Sequence, residues 1–271
     1  MVRRVAVTGT GVISPIGNDT GSFWKNLIDG VCGIDYIQSI PTDGLQSKIA
    51  GEVRNFNPSD YEIETPFARK QDRFTLFAVA AAWQAMKESG LDAGEDGNID
   101  PYRLGVYVGS GIGGFSTQVK ETEKILKDGP KWVSPLFIPT MIANIASGNI
   151  AIRNKAFGPC LPVVTACATS THAIGEAYRA IRHGYADAII TGGSEAVIIP
   201  LGMVAYYAFT GEDGSFTLSN FKYIAQNKQV YVDSFVIAFI STVICLVIAY
   251  PLALLMARMR PRGQRMMNIL I

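Results

Sequence analysis

Short apolar runs alternate with stretches of helical period through the first two hundred residues, and this alternation constrains the chain more than any other feature. Residues 5–7, 104–109, 161–164 and 186–191 are strand-length runs bounded by glycine or turn residues. Between them Phe74, Phe77, Ala78, Ala81, Ala82 and Ala85 recur at helical spacing, as do Ala173, Ile174, Ala177, Ala180 and Ile181. Gly90 and Gly184 stand where these two helices should stop. Strands alternating with helices predict an α/β layer fold around a largely buried sheet. The acidic, glycine-containing stretch 92–101 reads as a surface loop.

Within that pattern the run 162–175 carries the chemistry. An apolar stretch ends at Thr165-Ala166-Cys167, and a helix-like stretch begins directly after it. A thiol at a strand-to-helix turn faces the first unpaired N–H groups of the helix, and the positive end of the helix dipole favours thiolate. Such a thiolate can act as a covalent nucleophile, with backbone N–H groups nearby for an oxyanion. The alternative for a lone cysteine is a buried, inert side chain. No base for it is evident. His172 lies five residues on, about 140° round the helix axis, and reads as a packing residue that points away from the thiol. His183, the only other histidine, falls in the helix's last turn, where a cation complements the dipole.

Composition narrows the remaining classes. The 271 residues carry a net charge of +1, so nothing argues for a nucleic-acid partner. Cys32, Cys160, Cys167 and Cys245 show no metal-ligand spacing, so no metal or other cofactor is expected, and their scatter suits a reducing compartment. The opening residues pass at once into Thr8-Gly9-Thr10-Gly11, a first strand and tight turn rather than a signal peptide. A dinucleotide loop is disfavoured there, because Ser14 occupies the third glycine position. Gly109-Ser110-Gly111-Ile112-Gly113-Gly114 lacks the Lys-Ser/Thr of a phosphate loop and reads as a flexible loop lining a pocket.

The carboxy-terminal end has a different character. Residues 235–257 contain no charge, and as a helix they would be roughly 34 Å long, enough for a bilayer core of about 30 Å. Arg258, Arg260, Arg262 and Arg265 follow, as on a cytoplasmic flank. A transmembrane helix over about 234–257, kinked at Pro251, is the expectation, with a buried core helix as the alternative. The apolar stretch 197–209 is too short to span alone.

Residues 4–17, 109–115, Ser134-Pro135-Leu136-Phe137-Ile138-Pro139 with Asn144, Gly158-Pro159, 165–175 and Gly192-Gly193-Ser194-Glu195 together resemble the amino-terminal half of a β-ketoacyl-acyl-carrier-protein synthase of the synthase II type, over about 2–196. The resemblance implies half of a thiolase-like fold, in a domain spanning 1–200. It also implies acyl transfer from a carrier-protein thioester to Cys167, then decarboxylative condensation with malonyl-carrier protein. By the same resemblance Ile112 lines the acyl pocket, Phe137 contacts substrate, the synthase portion is cytoplasmic, and two copies form a homodimer. The family's two histidines, its lysine and its second oxyanion loop belong to the carboxy-terminal half, which implies a chain deficient in condensation. From about 197, residues 204–210, 216–221 and Ala249-Tyr250-Pro251-Leu252-Ala253 resemble a spermidine/putrescine-type ABC transporter permease. That second resemblance implies a chimera whose segment 201–271 attaches to the membrane. A membrane-tethered acyl-binding module is a further alternative.

Overall fold

The computed structural model describes residues 3–196 apart from Gly44 and Gln46. The proposed permease-like segment and transmembrane helix therefore lie outside the described residues. No described helix is long and apolar enough to cross a membrane. In chain order the elements are α1 (Thr20–Ile28), β1 (Asp35–Tyr36), β2 (Ile49–Ala50), α2 (Thr65–Ala68), α3 (Arg73–Ser89) and β3 (Leu104–Gly109). There follow α4 (Phe115–Asp128), α5 (Phe137–Met141), α6 (Ile145–Arg153), α7 (Thr169–Arg182) and β4 (Ala188–Gly193). Strands β1 and β2 form a small antiparallel pair away from the main sheet.

The core is a three-layer arrangement about the parallel pair β3 and β4, registered from Leu104↔Ala188 to Gly109↔Gly193. Every residue of β3 is buried, as the uninterrupted apolar run predicts for a strand covered on both faces. Leu104, Val106 and Val108 face Phe74, Val79, Ala146 and Ile150 from α3 and α6. On the opposite face Tyr107, flanked by Gly105 and Gly109, packs against Ala173, Ala177 and Ala180 of α7. Small residues on that stripe let the helix lie close to the strand pair. Ile174, read as part of the apolar face, is 51% exposed instead. Both predicted helix stops hold: Gly90 has φ 65° and Gly184 φ 82°, the left-handed backbone that glycine adopts without Cβ strain.

Two expected strands form no ladder with the sheet. Residues 161–164 keep only an isolated parallel bridge beside them, Val106↔Cys160, continued by Leu161 N–H donating to the Val106 carbonyl at 3.0 Å. Beyond that point the chain leaves the strand edge and Ser147 of α6 takes its place. The Ser147 hydroxyl donates to the Val108 carbonyl at 2.5 Å and accepts from Val108 N–H at 3.1 Å. One side chain thus satisfies both buried backbone groups that a neighbouring strand would have paired.

The amino-terminal run is also extended without a partner strand among the described residues. Its backbone is held by α3 instead. Thr10 N–H and Oγ1 both donate to Glu88 Oε2 at 2.7 Å, and Gln84 accepts from Val12 N–H and donates to its carbonyl. Gly9 and Gly11 are not a tight turn: a Cβ on them would lie 2.0 Å from the Ala85 carbonyl oxygen and 1.9 Å from that of Ala81. Two residues of extended chain advance about 6.6 Å and one helical turn of four residues about 6 Å, so the glycines match successive turns of α3.

At the other end of the sheet Arg103 forks onto Asp187 at 3.1 and 3.0 Å, and Arg3 binds the same carboxylate at 2.6 Å. These two guanidiniums, Arg103 first, hold the Asp187 carboxyl down to about 2. A carboxylate depressed in the folded state stabilises fully above its unfolded value, about 3.9, and stops stabilising below its folded one. The stability advantage of the native chain over Asp187→Asn should therefore be constant above about pH 5, shrink as pH falls toward about 2 and vanish below it, as measured by denaturant unfolding across that range. Ser147→Ala should cost about 1–3 kcal/mol in the same assay, because it strands the Val108 amide and carbonyl in the core.

Candidate active site

Parallel register brings the two strand exits side by side, and both exits begin at glycine. Gly109 and Gly193 are direct partners at the carboxyl ends of β3 and β4. A Cβ on Gly109 would stand 1.9 Å from the Val163 carbonyl oxygen and 2.5 Å from Thr169 Cγ2. One on Gly193 would stand 3.0 Å from Ser170 Cβ. The first turn of α7 therefore rests directly on the ends of the strands, the place where open α/β sheets gather ligands.

Cys167 sits immediately before that turn, in the short 3-10 helix Ala166–Ala168, and its side chain is exposed. The inert buried alternative is excluded by that exposure. Ala166 has φ 50°, a left-handed conformation that costs an L-residue roughly 1–2 kcal/mol and turns the chain sharply at the thiol. Thr165 N–H donates to Thr169 Oγ1 at 2.9 Å, bracing the bend from inside. Ala168, the residue preceding α7, makes no side-chain cap, so the positive end of the helix stays open toward Cys167. His172 is not a packing residue: it is exposed, with Nδ1 2.8 Å from Thr165 Oγ1. His183 closes α7, its N–H bound to the Arg179 carbonyl.

The 109–114 loop is pinned rather than loose. Glu195, two residues past β4, accepts from Gly111 N–H at 3.0 Å and Ile112 N–H at 3.2 Å, both on Oε2. Ser110 Oγ lies 3.2 Å from Glu195 Oε1 and itself accepts from Gly113 N–H at 2.9 Å. Donors that would suit a phosphate are thus occupied by an internal carboxylate. Gly111 fills the space between this carboxylate and the bend, since a Cβ there would meet Glu195 Oε2 at 3.2 Å and Ala166 Cα at 3.3 Å. Ile112 follows it and is half exposed, beside the thiol's own turn.

The far side of the loop is held as firmly. Gly114 N–H donates to the Met141 carbonyl at 2.8 Å, and buried Asp72 accepts from Thr117 N–H at 2.9 Å and Thr117 Oγ1 at 2.7 Å. Asp72 also precedes α3 and accepts from Phe74 N–H, so one carboxylate caps two helices. Phe137 reaches this region through the backbone: it opens α5, and Met141 closes it. The structure thus gathers Cys167, Ile112, the loop glycines and Glu195. Glu195 and Asp72 were not singled out from the sequence as site residues. A glycine loop rich in N–H donors, with no basic residue to mark a phosphate, was the available sign that an internal carboxylate fills it.

The profile of the family described as "Beta-ketoacyl synthase, N-terminal domain" matches residues 2–211. The chain belongs to that family. The match passes the limit near 196 drawn from the motifs and runs to residue 211. The 3-oxoacyl-[acyl-carrier-protein] synthase 2 of Staphylococcus aureus is 44% identical over 206 residues, 76% of this chain and 49% of its own. The chain spans about half the length of the curated relatives it matches. Among solved structures, the ishigamide ketosynthase/chain length factor is similar at TM-score 0.67 and 28% identity, covering 78% of this chain and 52% of that one. A type II PKS acyl-carrier protein in complex with its ketosynthase bound to the hexaketide is similar at TM-score 0.60 and 25% identity, over 73% and 52%. The thiolase-like ketosynthase fold expected from the sequence is therefore the fold of this region.

Gly109→Ala tests the seat of the site. Its Cβ cannot fit beneath Thr169 and Val163, so the variant should lose about 1–3 kcal/mol of stability in thermal unfolding, whereas Gly175→Ala, exposed on α7 with nothing near its Cβ, should gain about 0.5–1 kcal/mol from helix propensity.

Proposed function

We propose that this chain carries out the acyl-loading step of a β-ketoacyl-acyl-carrier-protein synthase in fatty-acid elongation. The observation that carries the reading is an exposed thiol on a strained bend, at the uncapped amino end of α7 and above the glycine ends of two parallel strands. In this step the Cys167 thiolate attacks the carbonyl carbon of a carrier-protein thioester. A new C–S bond forms, negative charge builds on the carbonyl oxygen near the open end of α7, and the old C–S bond breaks. The carrier thiolate leaves and takes up a proton equivalent to the one Cys167 released. Ile112 and Phe137 line the path of the acyl chain.

Condensation with malonyl-carrier protein asks for further proton donors and a second oxyanion donor. The chain has two histidines, one bound to Thr165 and one closing α7 at the end away from Cys167. The chain by itself loads and does not condense. Its partners are acyl- and malonyl-carrier proteins and a second copy of itself. For residues 212–271 the reading is a permease-like membrane segment, resting on the uncharged run 235–257 and the arginines after it. With that segment the molecule is a membrane-tethered acyl-binding form of the synthase half.

Incubated with acyl-carrier protein, the full chain should gain one acyl mass on the peptide containing Cys167, and Cys167→Ala should gain none. Malonyl-carrier protein added afterwards should yield no β-ketoacyl product. An adduct on another residue, or a chain that never loads, would overturn the proposal.

A further inference from the structure

Among the residues described, Glu195 is the one acidic side chain that accepts hydrogen bonds from the backbone of the glycine loop beside Cys167. Its carboxylate takes the Gly111 and Ile112 amides on a single oxygen, Oε2, and the Ser110 hydroxyl across both oxygens. The same hydroxyl receives the Gly113 amide, so three successive N–H groups depend on one carboxylate directly or through Ser110. Successive amides converging on one anion form a nest whose shape is set by that anion. Charge-assisted bonds of this kind are about twice as strong as neutral ones. The nest is closed on its other side by the bend at Cys167, because Gly111 lies between Glu195 Oε2 and Ala166.

The origin of the contact is the sheet register. Ser194 N–H donates to the Gly109 carbonyl at 3.0 Å, which extends the strand pairing by one step and sets Glu195 level with Ser110 and Gly111. Ser194 Oγ donates to the Phe74 carbonyl at 2.7 Å and fixes the residue before Glu195 to α3. Glu195 therefore follows a residue tied at once to the end of β3 and to α3. With the carboxylate removed, the loop keeps its ties at Gly109 and Gly114, while the Gly111 and Ile112 amides lose their acceptor.

Resting on the loading reaction above, we propose that Glu195 is a positioning residue that holds the 110–113 loop against Ala166 and so keeps Ile112 at the acyl entrance beside Cys167. It touches no reacting atom. Its influence falls on how the acyl chain is received more than on the reactivity of sulfur.

The test compares the full chain with Glu195→Ala and Glu195→Gln. Acyl transfer from an octanoyl thioester to Cys167 is followed by mass, alongside alkylation of Cys167 by iodoacetamide and amide exchange at Gly111 and Ile112. Glu195→Ala should raise the KM for octanoyl thioester, taken as the concentration giving half the maximal acylation rate, about tenfold with that maximal rate within about threefold, and exchange at both amides should quicken at least about tenfold. Iodoacetamide needs no acyl recognition, so its rate should stay within about twofold. Glu195→Gln keeps an acceptor oxygen and should restore KM to within about threefold. Quickened exchange with an unchanged KM, or a Gln variant as impaired as Ala, would overturn the positioning role while leaving the loading reaction intact. A native chain that transfers no octanoyl group at all would overturn the loading reaction and the role built on it together.

Discussion

The absence of side chains at Gly109 and Gly193 is the constraint on which the site depends. These two residues are partners at the ends of parallel strands, and the first turn of α7 occupies the volume their Cβ atoms would need. Close seating of α7 has three consequences at once. The stripe of Ala173, Ala177 and Ala180 meets Tyr107, the bend at Ala166 is compressed into left-handed backbone, and Cys167 is lifted to the surface above the sheet. Because the strands exit in register, the loops that follow them must also lie together. The meeting of Glu195 with Gly111 is a continuation of the same geometry.

A second theme is the substitution of side chains for neighbouring strands. Ser147 answers both polar groups of Val108, and Gln84 with Glu88 answers those of Thr10 and Val12. A buried peptide group without a partner costs more than a hydrogen bond returns, so every strand edge that ends early needs such a replacement. The amino-terminal run is held this way on one side, while Val7 is 84% exposed on the other. That run is extended and apolar, with the hydrogen-bonding pattern of a strand that has helix side chains where a ladder would be.

Much of this was legible beforehand. The β3 boundaries, the α3 and α7 helices, their glycine stops and the turn at Cys167 follow from period, residue type and punctuation, which act over a few residues. The strand at 161–164 was misread because an apolar run shows that a segment is covered and not what it pairs with. The turn assigned to Gly9 and Gly11 failed for a related reason. Glycine permits both positive φ and close approach, and only the nearby Ala81 and Ala85 carbonyls distinguish them. His172 is exposed and bonded to Thr165 instead of packed, since helical angle fixes direction and not what lies there.

By itself the sequence determined the α/β layer class, the helix that follows the thiol, and the synthase family whose motifs run over about 2–196. Those are properties of local period and of motifs in order. Only the tertiary structure decided that Glu195 fills the glycine loop, that Asp72 caps two helices, and that Ser147 completes β3. Each of these joins residues dozens of positions apart, and each satisfies a buried or converging polar group whose need arises only once the layers have closed. Short-range pattern carries no record of such needs, because in the extended chain water meets them all.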